Sequence, residues 1–133
     1  MKTKQLVIEQ PSKHNFNKTV ELLVAEAERR EWKTPAVHDL QQSLAKSGKS
    51  VKPVKVIEIC KPEYSGKMLE LNHERIISVM MPCRISVYEK DDGLTYIGLI
   101  NTGDITSGLP ANIASVMKAA SDETFEIVKS VTG

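Results

Sequence analysis

Aromatic residues make up only 5% of this 133-residue chain, too few for a base-stacking platform of the RNA-binding kind. Charge of one sign is lacking too. The 18 Lys and Arg stand against 17 Asp and Glu, for a formal net charge of +1, so no strong field draws in nucleic acid or an anionic membrane. No segment approaches the roughly 18 apolar residues of a membrane-spanning helix. The opening stretch through Leu6, Val7 and Ile8 is apolar too briefly, and broken too soon by Glu9, for a signal-peptide core. There is no Gly-rich phosphate loop, nucleophile elbow, dinucleotide fingerprint, Cys-x-x-Cys or His-x-x-x-His. The expectation is a soluble cytoplasmic protein with no nucleic-acid partner and no membrane partner. In that compartment its two cysteines are reduced thiols rather than a structural bridge.

What is present is an ordinary globular balance, 41% hydrophobic and 26% charged, enough for one core in a single domain spanning 1–133. Gln5 to Glu9 reads as a first strand stopped by Pro11. A helix follows, capped by Asn15 or Asn17, with Phe16, Val20, Leu23, Val24 and Ala27 on its inner face. Trp32 to Val37 is ambiguous: one reading makes Thr34-Pro35 the cap and first-turn proline of a second helix, with Val37, Leu40 and Leu44 as its stripe and Gly48 at its end. Val54 to Cys60 is a strand by its β-branched content. Pro62 opens a short helix. Ile76 to Tyr88 reads as a strand, with Pro82 at an edge or bulge. Asp91-Asp92-Gly93 predicts a hairpin to a strand over Leu94 to Ile100. After a loop from Thr102 to Leu109, a closing helix starts near Pro110, with Ile113, Val116, Met117, Ala120, Ile127, Val128 and Val131 inward. Consecutive strands late in the chain favour an α+β fold over a doubly wound sheet.

The chemistry concentrates in two strands, each with a cysteine beside a proline and a cation: Cys60-Lys61-Pro62 and Met81-Pro82-Cys83-Arg84. Side-chain alternation puts Ile57 and Ile59 on one face of the first strand and Val56, Glu58 and Cys60 on the other. In the second, Cys83, Ile85 and Val87 oppose Arg84, Ser86 and Tyr88. A sheet face carrying Glu58, Arg84, Ser86 and Tyr88 is either solvated or meets a ligand or partner. Antiparallel pairing of the strands would bring Cys60 and Cys83 to one sheet end, and a parallel crossover would separate them. A helix start, Lys61 and a nearby Arg84 would each lower a thiol pKa, whereas cysteine as a small apolar filler needs no such setting. Glu58 is read as paired with Arg84 or Lys55. His38, Glu58, Cys60 and Cys83 have donors suited to zinc but lack zinc-motif spacing, so no metal or other cofactor is assigned. His38-Asp39 is either an oriented imidazole or a surface histidine in a helix first turn.

In its Cys60-Lys61-Pro62 and Met81-Pro82-Cys83 motifs the chain resembles domain-of-unknown-function family 302. That family shows a strand ending in Cys-x-Pro, a short helix, then a Leu- or Met-Pro-Cys strand. The resemblance implies a TATA-binding-protein-like domain, an antiparallel sheet backed by helices, and a homodimer. It brings no established activity, cofactor or catalytic residue. Lys61 departs from the asparagine usual at that place. Two functions are therefore expected in competition. One is a module binding a small-molecule ligand or partner through His38, Glu58, Cys60, Cys83, Arg84, Ser86 and Tyr88. The other is a thiol-dependent redox enzyme or sensor with Cys60 as nucleophile and Cys83 as resolving thiol.

Overall fold

A computed structural model describes residues 6–101 and 108–133. The elements run β1 (Val7–Pro11), α1 (Phe16–Arg29), β2 (Lys33–Asp39), α2 (Leu40–Ala45), β3 (Val54–Cys60), α3 (Pro62–Leu69), a 3₁₀ helix (His73–Met80), β4 (Cys83–Glu89), β5 (Thr95–Ile100) and α4 (Ala111–Thr132). The five strands form one antiparallel sheet in the order β1-β5-β4-β3-β2. The fold is α+β, with the sheet backed by helices as expected.

Alternation builds the core. Ile57 and Ile59 of β3, Ile85 and Val87 of β4, and Ile97 and Leu99 of β5 all turn to one face. There they meet Leu23 and Ala27 of α1 and Ile127, Val128 and Val131 of α4 in one buried cluster. The α1 helix starts where the Asn15 side chain accepts from the Lys18 N–H at 2.8 Å, satisfying one of the donors that a helix start leaves open. The Asp91-Asp92-Gly93 turn forms as the sequence predicts. Gly93 takes φ +78° and the Leu94 N–H donates to Asp92 Oδ1 at 2.9 Å.

Three expectations need correction. The first strand continues through Pro11, which pairs with Tyr96. β1 is an edge strand, where a missing N–H leaves no ladder bond unmade. Second, the segment beginning at Lys33 is a strand, and the predicted helix shrinks to Leu40–Ala45, capped by Asp39 through the Gln42 N–H. The register of β2 slips between Lys33 and Ala36, where Pro35 sits. Such an irregularity on an edge strand accommodates a residue without a donor. Third, 73–80 is a 3₁₀ helix rather than the first half of a strand. Its apolar residues recur at three, not two: Ile77 and Met80 turn inward, while Ile76 and Val79 stand 80% and 81% exposed. The predicted loop from Thr102 lies largely outside the described residues.

Candidate functional site

β3 and β4 pair antiparallel, with Ile59 opposite Cys83 and Glu58 opposite Arg84. Both cysteines therefore reach the same rim of the sheet. They occupy opposite faces there. Cys83 shares the helix-covered side with Ile59, and alternation sends Cys60 to the other. Both thiols are free and half-buried. The Cys60 thiol donates to Ser65 Oγ at 3.4 Å. Burial pushes the Cys83 thiol up, and the neighbouring Cys60 adds to it. At Cys83, therefore, desolvation governs.

Lys61, the cation next to Cys60, is taken up elsewhere. Its ammonium donates to Glu123 Oε1 at 2.8 Å. The same carboxylate accepts from Trp32 Nε1 at 2.9 Å and from the Tyr64 hydroxyl at 2.7 Å. Burial works against the charged form of Glu123, but the Lys61, Tyr64 and Trp32 hydrogen bonds outweigh it and hold the carboxyl below its usual range. Tyr64, donating to that carboxylate, is pushed up to about 12. One side chain of α4 thus ties down α3 and the lead-in to β2. Sequence reading missed Glu123. Its signal was a charge set among Ala120, Thr124 and Ile127 on the buried side of the last helix.

The polar sheet face is largely paired within itself. His38 Nε2 and Glu58 Oε2 share a hydrogen bond at 2.8 Å, so the partner of Glu58 is the imidazole and neither Arg84 nor Lys55. Asp39 caps α2 through its side chain. Tyr88 donates to Glu9, which also binds Lys90. Burial and the Glu9 carboxylate push the Tyr88 hydroxyl up. A Cβ at Gly98 would stand 3.4 Å from the Tyr88 ring and 3.6 Å from the Ser86 Cβ, in ordinary van der Waals contact. Arg84 is exposed and forms no salt bridge among the described residues. No three His, Cys, Asp or Glu side chains converge among the described residues in a way that could hold a metal ion. The zinc set of His38, Glu58, Cys60 and Cys83 is therefore not assembled.

What the rim offers instead is an apolar cavity of about 70 Å³ between the sheet end, the 3₁₀ helix and α4. Cys83, Met68, Met80, Met81 and Met117 contribute to its walls, Ala120 lies on the α4 side, and Arg84 is the one charged residue among the described residues that line it. The four methionines also pack in a second hydrophobic cluster around Ile77 and Ile113. Thr124 on the same wall is self-satisfied, donating to the Ala120 carbonyl at 2.9 Å.

Among the described residues no helix is long and apolar enough to cross a membrane. No curated protein matches the chain. A solved structure, described as an uncharacterized conserved protein DUF302 from Bacillus stearothermophilus, is similar in fold with a TM-score of 0.84 at 16% sequence identity. The match covers 95% of this chain and 98% of that one. A family model, described as Domain of unknown function DUF302, matches residues 8–131. The chain belongs to that family.

Proposed function

We propose that the protein is a small-ligand-binding module whose site is the methionine-lined cavity beside Cys83. The observation that carries this reading is the cavity itself: an apolar recess walled by flexible, polarizable side chains that adapt to an occupant. Its 70 Å³ is about half the roughly 150 Å³ of an engineered cavity that takes benzene, so the occupant is small. The polar sheet face serves this role less well, because Glu58 and Tyr88 already spend their hydrogen bonds on His38 and Glu9. A nucleophilic role for Cys83 is disfavoured by the upward push of burial on its thiol. Free thiols fit a reducing, cytoplasmic setting, and the family resemblance supports a homodimer, which sedimentation would test.

The test is a thermal-shift survey of small ligands, run in parallel on the native protein and on Ala120→Leu, which fills the cavity from α4. A ligand that binds only the native state raises its melting temperature. A compound that stabilises the native protein and not the variant supports the site. A survey in which every stabilising compound acts equally on both contradicts it, as does one in which none acts.

A further inference from the structure

We infer that the occupant of this cavity is a soft univalent metal ion of the Cu(I) type, held by the Cys83 sulfur and by thioethers of Met68, Met80, Met81 and Met117. The inference rests on the cavity being the ligand site. The chain has five methionines, and every one after Met1 lies on this cavity together with one of the two cysteines. The same four pack in one cluster, so their association does not depend on the cavity outline alone. Thioether and thiolate sulfur selects Cu(I) over hard cations. A small recess suits an ion better than an organic molecule.

Charge selects the valence. On binding, the Cys83 S–H bond breaks, a metal–sulfur bond forms and one proton leaves to solvent. No electron moves. A univalent ion that replaces the thiol proton leaves the charge of the cavity unchanged, although Arg84 also lines it. A divalent ion would add a positive charge to a largely apolar recess that Arg84 already lines, which is costly. Binding also compensates for the burial of Cys83, because the metal takes the place of its proton.

Silver(I), a redox-inert ion of the same softness, is the probe. It is titrated into protein carrying ¹³C on the methionine methyls, in a Cys60→Ser background that removes the other thiol. The expected result is saturation at one equivalent, release of one proton per ion, and shifts in at least three of the four internal methionine methyl signals. Met81→Leu combined with Met117→Leu conserves volume and should weaken binding tenfold or more. Silver bound with unmoved methyls, or with unchanged affinity in that double variant, overturns the inference. Xenon, an apolar probe, separates the two readings. Methyls that respond to xenon but not to silver sink the metal inference and leave the cavity site standing, whereas methyls that respond to neither sink both.

Discussion

Lys61 and Glu123 form a salt bridge at 2.8 Å that joins the start of α3 to the middle of α4. Both side chains are more than four-fifths covered, and Trp32 and Tyr64 donate to the same carboxylate. The residue after Cys60 therefore anchors the fold. Glu123→Ala leaves three donors without their acceptor, and each loss of this kind costs on the order of 1 kcal/mol or more. The expected destabilisation is roughly 2–4 kcal/mol in chemical denaturation. A change below about 0.5 kcal/mol, the ordinary size for surface substitutions, would contradict the anchoring role.

Acid should reveal the same anchor. The carboxyl of Glu123 titrates below its usual range in the folded protein, and Glu26, bonded to Arg29 and Arg30, is lowered to about 2. Each contributes stability that is present above the unfolded-state value of about 4.3 and lost as pH falls through the folded-state value. The Arg29 partner of Glu26 is 66% exposed, so solvent screens that pair, whereas Lys61 beside Glu123 is 16% exposed, and Glu123 is the stronger contributor. Unfolding free energy should decline between about pH 5 and pH 2, and Glu123→Gln should flatten part of that decline. An identical pH profile in the variant would show that Glu123 is not responsible.

Cys83 should be a sluggish thiol. Its upward shift means little thiolate near neutrality, and thiolate is the reacting form. Alkylation by iodoacetamide, followed by peptide mass spectrometry, should proceed at Cys83 at least tenfold more slowly at pH 7.5 than in a free cysteine peptide. Its rate should still be climbing above pH 9. Rapid modification at pH 7 would restore the redox reading.

The His38–Glu58 pair should matter little for stability. The imidazole side chain is 49% exposed and the Glu58 side chain 16%, and pairs that open to solvent contribute about 0–1 kcal/mol. His38→Ala should shift stability by less than about 1 kcal/mol. Zinc added to the native protein should produce no stoichiometric uptake by equilibrium dialysis. Tight one-to-one zinc binding lost in His38→Ala would contradict this.

Alternation and helical spacing made β3, α1, the hairpin at Gly93 and the inner stripe of α4 legible in the chain. Each buries a face that the pattern must declare. The antiparallel pairing of the two cysteine strands was also within reach. What escaped were places where local pattern and tertiary setting disagree. Val37 reads as part of a helical stripe with Leu40 and Leu44, yet it lies on an edge strand and is 42% exposed. Ile76 and Val79 read as strand residues because β-branching speaks for β structure, but their three-residue spacing places them outward on a 3₁₀ turn. At the site, strand parity gave the faces of Glu58 and Arg84 correctly. It could not give rotamers, so His38 rather than Arg84 met the carboxylate. The methionines come from α3, the 3₁₀ helix and its exit, and α4, and only the closed fold brings such distant positions together.

The cavity is tested most directly by following the ¹³C-methyl signals of Met68, Met80, Met81 and Met117 under xenon, in the native protein and in Ala120→Leu. The account predicts saturable shifts of these methyls in the native protein and none in the variant. Methyls that stay still in the native protein, or move alike in both, would contradict it.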